Sequence, residues 1–550
     1  MPELKPEGRF WTSFAILTSI VLLIATTRWM FDHPYGISWD EAGYFNTVLI
    51  DIKSLHDGGL HSLGRSLLHE DTVRPPAYRV LAIPFLVLFG FRTVTARLIS
   101  LAFFGLSLLF VYLATRRIAS PAAGAFAVLF LCLSPEIVFA SMLFYTEYPL
   151  YVAISAMMLF LVLLWSGTTK PQSCAIGLGV AFALGFLSRT TFLLILPPVM
   201  VVALLLPYLR DYAGVKPALL LKAAILGCLL AAPWWWFNFK DAISYARYAM
   251  NFSRGTLGPP SLKTWAIWLS TIAQGLLGYC LTLLVVIVLL IFLVKTLKRK
   301  INLDPLQRIV LIASACVAAP LLVSEMIATN PLLRHLSPIL FPLAVAFGVM
   351  THKTGWTRSG TPLVISSILF SLQLIMIVSP VVRPNTLPVD NGLINGRLPW
   401  RVMLRKEQWN WEPLRGIGIA CGVGSPVISF LGLGSAFNSP QINFPWAVHE
   451  EPFVEARWLW RNEQGPIQWE KIMGSLDSSD MVLTAPHYLG DPYSRDDIDN
   501  MHNADFAERL SRDFRFREPI HLGMGRFEPV DLLVFVKKAL VCSSTRAGNP

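Results

Sequence analysis

The chain has 550 residues, 54% of them hydrophobic and 15% charged, with a mean hydropathy of +0.54. Soluble domains carry roughly 25% charged residues, so this is neither an ordinary soluble protein nor a disordered one. Lys plus Arg exceed Asp plus Glu by 46 − 35 = 11, and a membrane explains that excess better than nucleic acid, because basic residues collect in cytoplasmic loops.

A membrane-spanning helix needs about 20 mostly apolar residues. The first such run is Phe10 to Met30, which is long for a signal peptide and has no small-residue cleavage site after it. Beyond Trp39, Tyr44, Phe45, Val48, Leu49, Ile52 and Leu55 recur at helical spacing on one face. That stripe predicts a structured helix in the first outer loop. Residues 77–91 are apolar but short for a span, and read as a helix lying in the outer interface. Further spans are expected near 94–115, 122–140, 148–166, 174–188, 190–207, 218–236, 268–294, 309–326, 336–350 and 361–380, which makes 11. With the N-terminus inside, the inner segments (1–10, 116–120, 167–173, 208–217, 295–308, 351–360) hold 14 Lys/Arg in 56 residues. The outer segments (31–93, 141–147, 188–191, 237–263, 327–335) hold 11 in 110. This is the asymmetry of a membrane protein so oriented, and eleven crossings place the C-terminus outside.

After residue 380 the composition turns richer in charge, Gly and Trp. GIGIACGV, PVISFLGLG, DMVLTAP and DLLVFVKKA read as short strands, and Asp497 to Arg512 as a helix. The expected fold is therefore mostly α. A polytopic bundle of about 11 transmembrane helices (1–380) carries a C-terminal extracytoplasmic α/β domain (381–550), periplasmic in a Gram-negative cell. Cys421 and Cys542 fall on one side of the membrane, and a disulfide or two thiols fit the sequence equally.

Ionisable residues at span ends are costly and often functional. Five outer sites stand out: Asp40–Glu41, Glu147, Arg189, Glu325 and Arg334–His335. Their convergence on one membrane face says more than any one of them. Each also has a plain structural reading. Ser38 and Glu41 fit a capping box, Glu147 can be an interfacial charge at a helix start, and Arg189 and Arg334 can be snorkelling anchors. There is no GxxxxGK[ST], which argues against an ATP-driven pump, and no convincing HExxH or CxxC metal pattern. No cofactor is called for. Carboxylates beside a phosphate can share a divalent ion, but no dedicated metal cage is legible. A secondary transporter would place its charges nearer the bilayer midplane.

WDEAGY (39–44), RPPAYRVLAIPF (74–85), FYTEYPLY (144–151), APWWWFNF (232–239) and RHLSPILFP (334–342) occur in that order. Together they resemble the motifs of C-type (GT-C) membrane glycosyltransferases that use polyprenyl-phosphate sugars, in the branch of protein O-mannosyltransferases and lipid A aminoarabinose transferases. The likeness covers much of residues 1–380. Arg74 stands where His is frequent, Glu147 where Asp is common, and Arg189 where Lys is frequent.

The resemblance implies transfer of a sugar from a polyprenyl-phosphate donor to an acceptor hydroxyl at the outer face, in cell-envelope glycan, glycolipid or protein glycosylation. Phosphate is already a good leaving group. The reaction needs a carboxylate to take the acceptor proton and cations to hold the phosphate as charge develops. Asp40 fits the base and Glu147 a supporting role. Arg189 and Arg334 fit the phosphate, and Glu41, Arg74, Asn238 and His335 are candidates for substrate contact. Single displacement inverts the anomeric carbon. The alternative is a lipid or sugar transporter or flippase without transferase activity.

Overall fold

The computed structural model describes residues 6–34, 39–167, 170–209, 217–257, 260–328, 333–358, 360–378 and 409–543, apart from 433, 435, 461–465, 489, 491–499 and 526–529. The expected domain junction near residue 380 and the Ser38 half of the capping box lie outside these.

The N-terminal part is a polytopic helical bundle. Among the described residues, five helices are long and apolar enough to cross a membrane: α1 (Pro6–Asp32), α4 (Thr93–Ile118), α7 (Tyr148–Trp165), α10 (Pro217–Leu257) and α13 (Pro305–Ala328). A sixth apolar run is broken into α5 (Pro121–Leu133) and α6 (Pro135–Met142), bent by 69°. The break follows from two helix starts in one run. The side chains of Ser120 and Ser134 accept from the backbone N–H groups of Ala123 and Ile137, and a proline follows each serine at the first helical position. Shorter apolar helices fill in: α8 (Pro171–Phe186), α9 (Phe192–Leu209), α12 (Tyr279–Leu297), α14 (Leu340–Thr354) and α15 (Gly360–Val378). Among the described residues, helix occupies most of every stretch expected to span, and up to six crossings stand out by length and composition, short of the eleven expected.

Two differences from the expected pattern are clear. The 237–263 stretch is no loop, because α10 continues to Leu257. The 268–294 run is not one helix either: α11 (Leu262–Thr271) passes into a π turn, Ile272–Leu276, and Gly278 at φ 73° precedes α12. α8 and α10 pack closely through Gly179 and Gly227; a Cβ on Gly227 would meet Phe182 Cβ at 2.6 Å and Gly179 O at 3.1 Å.

α2 (Trp39–His69) is the helix expected after Trp39, and its stripe of Tyr44, Phe45, Val48, Leu49 and Ile52 is buried in the main core. Gly58 and Gly59 break it, Gly59 with φ 64°. Arg79 of α3 (Ala77–Phe89) ties the two halves together. It donates to Asp51 at 3.2 Å before the break and to Leu67 O at 2.8 Å after it. α3 buries Tyr78, Ala82, Ile83 and Leu86 and exposes Val80, Phe85, Val87, Leu88 and Phe89.

The C-terminal part is a mixed sheet of order β2-β1-β3-β5-β4 between helices. β1 (Val427–Phe430), β2 (Glu455–Trp458) and β3 (Met481–Thr484) are parallel; β5 (Val530–Val536) is antiparallel to β3 and to β4 (Ile520–Met524). α16 (Glu412–Ala420) and α17 (Ser439–Val448) cover one face through Leu414, Ile442 and Trp446. α18 (Trp469–Ser475) and α19 (Asn503–Ser511) cover the other through Ile472, Phe506 and Leu510. GIGIACGV, expected as a strand, forms the last five residues of α16 and the turn that follows it. The helix formed by Asn503–Ser511 lies within the expected 497–512. A disulfide joins Cys421 to Cys542, which resolves the pairing left open by the sequence.

α17 seats this domain on α2. Asn46 donates to Pro440 O at 2.9 Å, Lys53 to Glu450 O at 2.6 Å, and the Phe45 and Phe444 rings lie 5.4 Å apart.

Candidate active site

Four separate segments meet at one end of the bundle. The first turn of α2 brings Asp40, the link from α6 to α7 brings Glu147, the α8–α9 turn brings Arg189, and a short 3-10 turn (Leu333–His335) before α14 brings Arg334. Ion pairs connect them. Arg334 donates to Asp40 and lies 3.8 Å from Glu147 Oε1, and Arg189 donates to that same Glu147 oxygen. Glu147 is 1% exposed, against 21% for Arg189, 14% for Arg334 and 37% for Asp40. A buried carboxylate thus holds two guanidiniums, each with a more open side.

The framing is local. Ser337 Oγ donates to Arg334 O at 2.6 Å and shares a hydrogen bond with Tyr151 OH at 2.5 Å, which fixes the 3-10 turn against α7. Arg334 stacks on the Tyr145 ring at 4.7 Å. Ala77 N–H donates to Leu187 O at 2.8 Å, tying the Pro-Pro segment to the turn that carries Arg189. His335 follows Arg334 in the same 3-10 turn and feels the charge of Arg189 and of Arg334. Burial works against the charged form of Asp40, but Arg334, with Arg74 and Arg189 behind it, outweighs that and holds the carboxyl below its usual value. Asp40 is therefore ionised near neutral pH.

Arg74 stands at the edge of this cluster. Asp71 caps its turn, accepting from Arg74 N–H at 3.0 Å, and Arg74 stacks on Tyr44 and Tyr245, each at 5.2 Å. Tyr44 lies one helical turn after Asp40 and feels the charges of Asp40, Arg334, Arg74 and Glu147, so it bridges Arg74 to the cluster.

Two expected substrate contacts are engaged elsewhere. Glu41 is buried and bidentate with Arg97 of α4, at 2.7 Å for both bonds, and also accepts from Phe144 N–H at 3.1 Å. Adjacent helix residues point about 100° apart, so Asp40 faces the cluster while Glu41 faces α4 and anchors α2. Asn238 is buried on α10 and donates to Leu68 O at 2.9 Å and Trp234 O at 3.1 Å, which fastens α10 to the end of α2. Glu325 is buried in the last turn of α13. Sequence reading passed over Tyr145, Arg97 and Glu136. Glu136 was detectable, being a carboxyl inside an apolar run; the partnership of Arg97 was not, being 56 residues from Glu41. Among the described residues, no group of three or more His, Cys, Asp or Glu is placed to hold a metal ion.

Residues 73–237 match the model of the dolichyl-phosphate-mannose-protein mannosyltransferase family. This stretch holds RPPAYRVLAIPF, FYTEYPLY and most of APWWWFNF, and bears out the resemblance they carry. No curated protein matches the chain in sequence. In fold, the chain is similar over nearly its whole length to ArnT from Cupriavidus metallidurans. The crystal structure bound to undecaprenyl phosphate gives 13% identity and TM-score 0.54, covering 95% of this chain and 98% of that one. The apo crystal structure gives 12% identity and TM-score 0.55, covering 95% and 96%. The oligosaccharyltransferase of Archaeoglobus fulgidus in its apo form has TM-score 0.48 at 10% identity, over 86% of this chain and 69% of that one.

Proposed function

We infer how this chain, a membrane-embedded glycosyltransferase of the C-type superfamily that takes its sugar from a polyprenyl phosphate, carries out the transfer. Arg189 and Arg334 hold the donor phosphate, Asp40 is the general base, and Glu147 keeps the two guanidiniums together. The observation that carries this reading is the continuous chain Asp40–Arg334–Glu147–Arg189, assembled from four segments.

Arg334 is shared between Asp40 and Glu147. An arriving phosphate competes for it and frees the Asp40 carboxylate for the acceptor hydroxyl. Asp40 takes the hydroxyl proton as the acceptor oxygen attacks the anomeric carbon and the bond to the phosphate oxygen breaks. The donor phosphodiester carries one negative charge and the departing phosphomonoester up to two, so the guanidiniums stabilise the charge that develops. A single displacement inverts the anomeric centre. Arg74, on its aromatic platform, and His335 line the donor's approach. The site residues combine with a topology of eleven spans, residues 1–380 in the membrane module and 381–550 outside. The Cys421–Cys542 disulfide supports that side, since disulfides persist in oxidising compartments. The C-terminal domain binds the acceptor, a reading supported by its seat on α2, the helix that carries Asp40.

The test is transfer by the purified protein in liposomes from a labelled polyprenyl-phosphate sugar. Label that crosses the bilayer without reaching any acceptor would instead support the transporter reading. Single Cys reporters at Lys298 and Met501, in a background without the free cysteines, should label from opposite faces. Labelling from one face would overturn the orientation.

A further inference from the structure

A cavity of about 340 Å³ lies where the C-terminal domain meets the helical bundle. Phe31, Phe91 and Val94 line it from the bundle, and Trp409, Trp411 and Phe444 from the domain. Asp40, Glu147, Arg189 and Arg334 are not in its lining, so it is separate from the candidate active site. It is not sealed. Phe31, at the end of α1, is 64% exposed, and Leu88 and Phe89 of α3, just before Phe91, are exposed apolar side chains. Since α1 and α4 are long enough to cross a membrane, the lining continues the lipid-facing surface at the membrane boundary.

The polar groups of the lining are few and underused. Thr93 is 3% exposed and Trp409 is 1% exposed. Neither the Thr93 hydroxyl nor the Trp409 Nε1–H has a hydrogen-bond partner among the described residues, a costly state for buried groups. α4 begins here without a side-chain cap, and an uncapped helix start attracts anions. Arg92, its N-cap residue, also lines the cavity. It is exposed, and its guanidinium has no partner among the described residues. Glu412, the carboxylate of the lining, is engaged by His449 at 3.4 Å and Arg415 at 3.8 Å.

The cavity thus suits a ligand with an apolar chain and an anionic head that accepts hydrogen bonds. Water would pair with the two orphaned groups, but aromatic and aliphatic walls hold it poorly. At roughly 30 Å³ for a group the size of water, the volume takes about eleven such groups. That is part of an acyl chain and far less than a polyprenyl chain. We propose that the cavity binds an anionic glycerophospholipid of the surrounding leaflet, one acyl chain lying between the bundle and the C-terminal domain and the phosphate on Arg92 and the start of α4. The bound lipid fills the joint between the two parts, so membrane composition tunes how firmly the domain is seated.

The experiment places the full chain in nanodiscs with phosphatidylglycerol that carries a diazirine midway along one acyl chain. After irradiation, adducts are mapped by peptide mass spectrometry. Adducts are expected at Trp409, Trp411 or Phe444, as well as at exposed Leu88 and Phe89 of α3. Unlabelled phosphatidylglycerol should suppress the domain adducts about ten-fold more effectively than diacylglycerol with the same chains, the scale of a charge-assisted hydrogen bond. Arg92→Glu should lower them by about the same factor and Thr93→Val by less. Unchanged adducts at Leu88 and Phe89 report intact folding and reconstitution. Labelling of Leu88 and Phe89 without any domain adduct would overturn the proposal. So would equal competition by diacylglycerol, or undiminished domain adducts in Arg92→Glu. Stronger competition by undecaprenyl phosphate than by phosphatidylglycerol would give the cavity to a polyprenyl lipid and overturn it as well. The competition series uses wild type alone, so it decides the matter even if Arg92→Glu fails to fold.

Discussion

Replacing Asp40 by Asn removes a proton acceptor and one charge while keeping the shape of the side chain. The cost to the fold is small. Asp40 is 37% exposed, and Arg334 retains Glu147 Oε1 at 3.8 Å, so what is lost is a partly exposed ion pair, roughly 0–1 kcal/mol. The cost to the reaction is much larger. Loss of a general base lowers turnover by about 10²-fold or more, or on the order of 3 kcal/mol in the barrier. Donor affinity should move the other way. Arg334 is no longer shared with Asp40, so phosphate binding should hold or tighten. Single-turnover transfer from a labelled donor at saturating acceptor gives the first quantity, and titration with polyprenyl phosphate gives the second. Near-wild-type turnover would place the base elsewhere. A folded Asp40→Asn protein with weakened donor binding would refute the competition of Asp40 and phosphate for Arg334.

Glu41→Gln tests the neighbouring carboxylate and should fail differently. It leaves Arg97 buried without its counter-charge, a loss of about 3–5 kcal/mol, read as a lower melting temperature and poor yield instead of a folded, inactive enzyme. Arg189→Ala and Arg334→Ala should each weaken polyprenyl-phosphate binding by about 1–3 kcal/mol; unchanged affinity in both would make them anchors only. The pH profile follows from the sign of the Asp40 shift. If Asp40 is the base, as proposed, activity requires it ionised, and its pKa is lowered, so the acid limb of kcat/KM should lie below the ordinary carboxylate value of about 4. In Arg334→Gln the cation that offsets burial is gone, and the limb should move to higher pH. An unmoved limb would show that a different group titrates.

The sequence carried much of the bundle and the convergence of charges, for physical reasons. Apolar runs of span length and the buried stripe from Tyr44 to Ile52 are local patterns, and charges at span ends are conspicuous in so apolar a chain. What stayed hidden was long-range or diluted. Glu41 had a local explanation in capping, while its actual partner lies on α4. Asn238 sat in a suggestive motif, yet its amide serves carbonyls of α2 and α10. β2 and β4 are edge strands with mostly half-exposed or exposed side chains, so no clean alternation marks them. GIGIACGV looked strand-like for its β-branched residues, but Pro413 starts a helix that buries Leu414 and Gly418, four residues apart, and runs on through Ala420.

The seating of α17 on α2 has a mechanical consequence. Asn46 and Phe45 hold the C-terminal domain, and Asp40 lies six residues earlier on the same rigid helix, about 9 Å away at 1.5 Å per residue. The helix is thus a short lever with the C-terminal domain at its fulcrum and Asp40 at its tip. A tilt of about 10° at the fulcrum would carry the carboxylate roughly 1.5 Å, a displacement large enough to change rates about 10²-fold. Whatever rocks the C-terminal domain therefore also moves Asp40, the proposed base.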